Sequence, residues 1–338
     1  MEILSEDVMN GWTLYHLKSE NVKVQILNYG ATLVNLSIKD HQGKFNNIVL
    51  SYDDLSDYEQ NEYFFGSIIG RVAGRIKDGK FSINDQTFQL DQNEGEHHLH
   101  GGESGFHNKL WTGEIIEHPH CLSLKLTHES KAGEAGYPAN VKAIVYYHLY
   151  QDGTLEIEYE AEADEDTIIT LTNHTYFNLQ ADHTETIDSH EVTMNTSRYL
   201  TLNEALIAEK VQGVEEESTF NFKQARSLAD GLYKGEEQNK LVNGYDHLFL
   251  FDNDQGKVEL YEPLSRRMMT IETNAPAVVM YTTNAPVQLN EQTKKQHIGV
   301  CFETQGPPAF LWLNDLPSII IRKDEKYKQR TTYSFTTQ

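Results

Sequence analysis

Apolar side chains recur at every second position through much of this chain, and a segment patterned in that way buries one face only as a β-strand. Val22, Val24 and Ile26 alternate with Lys23 and Gln25, and after Asn28-Tyr29-Gly30 the rhythm resumes with Thr32, Val34, Leu36 and Ile38. Leu122, Leu124 and Leu126 follow the same rule. Val141, Ala143, Val145, Tyr147 and Leu149 run into Gln151-Asp152-Gly153, beyond which Leu155, Ile157, Tyr159 and Ala161 face away from Glu156, Glu158 and Glu160. A hairpin is predicted there, because Asp-Gly accepts the positive φ of a tight turn matched to strand twist. Helical patterning is confined to residues 54–59 and 222–232, and the strand–helix alternation of a parallel sheet is missing. The expected fold is all-β, a large antiparallel sandwich with few short helices. The acidic Val214-Glu215-Glu216-Glu217-Ser218 reads as a solvated loop, and no linker or repeat of fixed period divides the sequence. Residues 1–338 are therefore expected to form a single domain.

Composition narrows the partners. The 338 residues are 38% hydrophobic and 23% charged, which suits a folded globular chain with a sizeable core. Asp and Glu outnumber Lys and Arg by 51 to 28, a formal net charge of -23 that repels phosphate backbones and anionic lipid surfaces. Nucleic acid and membrane are not expected partners. Two distant cysteines, Cys121 and Cys301, imply no disulfide framework. The first residues, Met1-Glu2-Ile3-Leu4-Ser5-Glu6, lack the basic and apolar regions of a secretory signal, so a cytoplasmic location is expected.

Five segments concentrate residues that are costly to bury. Gly70-Arg71-Val72-Ala73-Gly74-Arg75 pairs glycines with guanidinium forks, and reads either as a turn with two surface arginines or as a close approach to a ligand. Glu96-His97-His98-Leu99-His100-Gly101-Gly102 is dense in histidine, but its spacing lacks the helical pair of a zinc protease and no companion motif supports it, so no metal is expected. Leu171-Thr172-Asn173-His174-Thr175-Tyr176-Phe177-Asn178-Leu179 offers an imidazole, hydrogen-bonding neighbours and an aromatic wall, as a polar ligand with one apolar face requires. Asn243-Gly244-Tyr245-Asp246-His247 places a carboxylate after a glycine. In Val300-Cys301-Phe302-Glu303-Thr304-Gln305, Glu303 ends an apolar run where burial raises a carboxyl toward the range of a useful base. Each segment alone also has a purely structural reading.

Taken in order, these segments resemble the aldose 1-epimerase (galactose mutarotase) family, and Asn28-Tyr29-Gly30-Ala31 and Ile319-Ile320-Ile321-Arg322 extend the likeness over most of the chain. The resemblance implies a β-supersandwich without a cofactor that interconverts α and β anomers of free hexoses such as galactose and glucose. It implies Glu303 as general base, His174 as general acid and His100 assisting near the ring oxygen, with Arg75 and Asp246 holding sugar hydroxyls. Tyr176 and Phe177 are expected to pack on the pyranose face. Many members carry Asn immediately before the second arginine, where this chain has Gly74. The pair His97-His98 is not part of the pattern.

These residue types suit the reaction. Opening a cyclic hemiacetal removes a proton from the C1 hydroxyl while another reaches the ring oxygen, so an acid and a base must flank one carbon. Three other readings stand beside it. A hexose-6-phosphate 1-epimerase needs a basic cluster, for which Arg71 and Arg75 are the nearest candidates. A non-catalytic sugar-binding module needs neither acid nor base. A glycoside hydrolase or lyase needs two carboxylates at a set separation. Monomer and homodimer are equally compatible with the sequence.

Overall fold

The computed structural model describes residues 1–289 and 294–337. Three antiparallel sheets dominate it. The largest has nine strands: Thr112–His118, Cys121–Ser130, Val141–Tyr150 and Leu155–Ala163 follow one another, Lys326–Thr337 comes next, and Arg267–Thr273, Gly256–Glu262, Glu191–Met194 and Arg226–Ser227 complete it. A six-stranded sheet runs in the order Tyr176–Phe177, Val300–Gln305, Ala277–Tyr281, Asp246–Phe251, Thr196–Leu202 and Ala208–Gly213. The five strands between Glu2 and Asn47 form a meander of their own.

The expected hairpin forms with Val141 paired to Ala163 and Leu149 to Leu155. Its turn places Gly153 at φ +93°, and the Asp152 carboxylate accepts from the Thr154 amide at 2.9 Å. Two α-helices occur among the described residues, Ala229–Lys234 and Glu237–Val242. The helical expectation over 222–232 is thus corrected to its last part, since Phe222 is drawn into the core and Arg226–Ser227 pairs as an edge strand. Residues 55–59 make a 3₁₀ turn capped by Asp54. Glu215, Glu216 and Glu217 are exposed in a loop, as expected.

One contiguous set of buried apolar side chains runs from Tyr15 to Tyr333 and draws on all three sheets. The alternation of Val300–Gln305 explains how it leaves room for a site. Val300 and Phe302 belong to this core, and Thr304 Oγ1 lies 2.6 Å from Thr331 Oγ1 on the nine-stranded sheet. Cys301, Glu303 and Gln305 therefore point the opposite way, although all six residues are buried. What lies on that second face is a cavity.

Candidate active site

The cavity has a volume of about 500 Å³ and is lined by Glu303, Gln305, Tyr176, His174, His100, Arg75 and Asp246 among others. Register carries most of these groups to one place. Tyr176 and Tyr281 both pair with Cys301, Asp246 pairs with Tyr281, and Val279 lies opposite Glu303. His174 sits just before the Tyr176 strand, its amide donating to Ser67 O at 2.9 Å and its carbonyl accepting from Gly66 N at 3.0 Å. Its imidazole Nε2 lies 3.6 Å from Glu303 Oε1, with both side chains only 5% exposed. The two groups that the sequence places 129 positions apart (174 and 303) thus share one pocket.

Burial pushes Glu303 up to about 8, an effect reinforced by Asp246 and opposed by Arg75. Burial also pushes His174 down to about 4. Both shifts have the same origin, since each group loses the water that would stabilise its charged form. The Nδ1 of His174 lies 3.5 Å from Cys301 Sγ. Phe64, at φ +58°, inserts its ring between three imidazoles, at 5.0 Å from His100, 4.8 Å from His107 and 5.7 Å from His174.

His100 is fixed through its backbone and its ring together. Its amide donates to Gly74 O at 3.2 Å, while the Gly74 amide donates to His100 Nδ1 at 3.1 Å. An Nδ1 that accepts a hydrogen bond leaves the neutral ring protonated at Nε2. Burial, together with His174 and Arg75, holds the ring well below its usual range, so His100 stays a neutral N–H donor. This bears on metal binding, because donor atoms of His100, His174 and Glu303 lie within 4.8 Å of one another. With its Nε2 lone pair occupied by a proton and its Nδ1 by Gly74, His100 has none left for an ion.

Arg75 forms a bidentate pair with Glu94, Nε to Oε2 at 2.6 Å and Nη2 to Oε1 at 2.9 Å, and its Nη1 reaches Asp246 Oδ2 at 3.3 Å. Burial opposes its charge, but Asp246 and Glu94 outweigh that and keep the guanidinium protonated. Asp246 is pushed above its usual range by burial, with Arg75 pulling the other way. Among the described residues lining the cavity Arg75 is the one cation, and two carboxylates, Glu94 and Asp246, already balance its charge. Nothing there offers a phosphate dianion a free positive group.

Phe177 departs from its expected place. It pairs with Val300 on the core side of the sheet and packs on Tyr333 at 5.8 Å, so it belongs to the core and not to the cavity wall. Successive residues of a strand face opposite ways, and only Tyr176 can point inward. His98 is a buried structural group, with Nδ1 at 2.7 Å from Asp91 O and Nε2 at 2.7 Å from Tyr137 OH. His97 accepts from the Asp78 amide outside the cavity. Phe64, Glu94, Gln305 and Trp312 were not singled out by sequence. Gln305 lies within the motif Val300-Cys301-Phe302-Glu303-Thr304-Gln305, and its buried Oε1 has no hydrogen-bond partner among the described residues while its Nε2 donates to Ala73 O at 3.0 Å.

Known proteins place the chain. A family model described as Aldose 1-epimerase matches residues 13–334. Galactose mutarotase of Homo sapiens is 32% identical over 95% of this chain and 93% of its own length. Aldose 1-epimerase of Haemophilus influenzae is 33% identical over 88% of this chain and 87% of its own. A crystal structure of galactose 1-epimerase from Lactobacillus acidophilus NCFM aligns with a TM-score of 0.88 at 29% identity, covering 99% of this chain and 98% of that one. With a matching family model across nearly its whole length and relatives at this identity, the chain belongs to the aldose 1-epimerase family.

Proposed function

We propose that this aldose 1-epimerase interconverts the α and β anomers of free hexoses such as galactose and glucose through the Glu303–His174 pair. The observation that carries the reading is the 3.6 Å approach of a buried carboxyl and a buried imidazole on the wall of one cavity. Between pH values of about 4 and about 8 the two groups hold a single proton between them. A hexose whose C1 hydroxyl meets Glu303 and whose ring oxygen meets His174 draws that proton onto the imidazole. Glu303 then takes the O1 proton as His174 delivers its own to O5, the C1–O5 bond breaks, and an open aldehyde remains. Rotation about C1–C2 presents the other face of the carbonyl. Closure returns the O5 proton to His174 and the Glu303 proton to O1, so neither group changes over a cycle.

His100, a neutral donor at Nε2, supplies a hydrogen bond near the ring oxygen without competing for the proton. Arg75 and Asp246 hold hydroxyls through charge-assisted hydrogen bonds, and the unpartnered Gln305 Oε1 accepts from another. Tyr176 offers an apolar edge to the ring. The residues act as one unit within a single domain. Polarimetry on freshly dissolved α-D-galactose tests the reading. Added protein is expected to speed the decay of optical rotation in proportion to its concentration, and a decay no faster than that of buffer alone overturns it.

A further inference from the structure

The outer face of the nine-stranded sheet carries a cluster of donor groups that the cavity does not use. Across the hairpin, Tyr147, Leu149, Leu155 and Ile157 turn into the core, so His148, Glu156 and Glu158 share the opposite face. His148 pairs directly with Glu156, and Glu158 lies on the diagonal, opposite Tyr146. One imidazole nitrogen and one oxygen from each carboxylate gather within 4.8 Å of one another. His148 Nε2 lies 3.7 Å from Glu158 Oε2, too far for a hydrogen bond. That spacing is close to the roughly 3.4 Å between two ligands held about 2.1 Å from one tetrahedral zinc ion.

The surroundings fix these donors from behind. Ser123 Oγ lies 2.7 Å from His148 Nδ1, and the Tyr146 ring stacks on the imidazole at 5.4 Å and 9°. An Nδ1–H donated to Ser123 leaves the Nε2 lone pair facing the two carboxylates. Tyr150 OH donates to Glu156 Oε1 at 3.1 Å. Burial, with His118 assisting, holds His148 below its usual range against the pull of Glu156 and Glu158, so near pH 7 the ring is neutral, as a metal ligand must be. Lys328 and Lys125 are taken up by Glu160 and Glu114, at 2.5 and 3.1 Å. Arg330 stands 3.7 Å from Glu156 on a side chain 63% exposed, which can swing aside. We propose that His148, Glu156 and Glu158 bind a single zinc ion, with water completing a tetrahedral set and the ion bridging the two strands of the hairpin. Closing the three donors onto it takes a shift of less than about 1 Å from each side chain. The other close trio, His100, His174 and Glu303, has no free lone pair at His100 and serves as the control.

Titration of the full chain with zinc chloride against a chelating dye near neutral pH tests the site. Wild type is expected to take one zinc ion with a Kd of about 1 μM or tighter, and His148→Asn and Glu158→Gln each to weaken it at least about tenfold. Two separate variants keep the test decisive should one of them fail to fold. His174→Asn, which alters the other trio, is expected to leave the Kd within about threefold of wild type. Crystals soaked in zinc are expected to show an anomalous peak about 2.1 Å from His148 Nε2 and from an oxygen of each carboxylate. Wild-type binding no tighter than about 100 μM overturns the inference, as does a Kd within about threefold of wild type in both His148→Asn and Glu158→Gln. Loss of the site in His174→Asn overturns it too, because the ion then sits in the cavity.

Discussion

Arg71 and Arg75 stand four residues apart in one motif and are both largely buried, yet they meet opposite surroundings. Arg71 donates to Ser130 Oγ at 3.0 Å, Pro138 O at 2.6 Å and Lys131 O at 2.8 Å, all of them neutral acceptors. Burial pulls it down to about 10, and it ties the motif to the segment behind the cavity wall. Arg75 faces two carboxylates and the cavity itself. The first cluster closes on itself, while the second borders the cavity. A buried polar cluster with every partner filled by protein holds a fold together, and one arranged around open space is arranged for a ligand.

The comparison breaks most visibly at Glu303. Glu303→Gln keeps the shape and removes the base, so kcat is expected to fall by about 10³-fold or more, and His174→Asn by a comparable factor. Wild type loses stability as pH rises from the usual carboxyl range through about 8, because the unfolded chain ionises Glu303 and the folded one resists. Glu303→Gln is therefore expected to gain melting temperature relative to wild type at pH 9 more than at pH 5. A variant that retains near wild-type turnover sinks the role assigned to that residue.

The arginines come next in size. Arg75→Met is expected to cost about 10²-fold in kcat/KM, in line with losing charge-assisted hydrogen bonds to the sugar and the partner of Asp246. Arg71→Met removes three charge-assisted hydrogen bonds, to Ser130 Oγ, Pro138 O and Lys131 O, which costs about 3 kcal/mol or more of stability, with kcat/KM per folded molecule within about threefold of wild type. Calorimetry and polarimetry on both variants check this crossing pattern. If Arg71→Met loses activity at unchanged melting temperature, Arg71 is part of the ligand's surroundings and the contrast is wrong.

A pH profile sharpens the contrast further. If the reaction needs one proton shared between Glu303 and His174, kcat/KM is level between about 4 and about 8. Below the lower limb a second proton reaches the pair and no base remains. Above the upper limb the last proton leaves and no acid remains. Each limb falls toward tenfold per pH unit, and a rate still climbing at pH 10 shows that the acid lies elsewhere.

How much of this could be read from sequence depends on how local the cause is. The hairpin around Asp152-Gly153 was legible because the turn chemistry and the alternation lie within one stretch, and so was the all-β class. Glu303 and His174 were legible through motifs, though nothing local says that they meet. Arg71 and Arg75 read alike, because the acceptors that separate their fates are distant: Pro138 is 67 positions from Arg71, and Asp246 is 171 from Arg75. Phe177 falls on the opposite face from the one expected because a two-residue strand has no alternation from which to tell its faces, and its core partner Tyr333 comes from the last strand. Phe64 and Trp312 gave no signal, since a ring among three imidazoles or across a strand end exists only in the folded chain.

The smallest expected effect tests how Arg75 is held. Glu94 grips it with two short hydrogen bonds from outside the acid/base pair, its own side chain 35% exposed, while Asp246 makes the single longer contact. If Glu94 only positions the guanidinium, Glu94→Gln preserves one hydrogen bond, loses the charge pair, and lets the fork tilt. A tilted fork weakens hydroxyl binding in ground state and transition state alike, which raises KM about three- to tenfold with kcat within about twofold of wild type. Glu94→Asp, which keeps the charge on a shorter stem, is expected to recover part of the loss. A hundredfold fall in kcat at unchanged KM contradicts a positioning role. It indicates instead that the Glu94–Arg75–Asp246 chain sets the field in which Glu303 changes protonation, and the boundary between the closed cluster and the open one then moves outward to include Glu94.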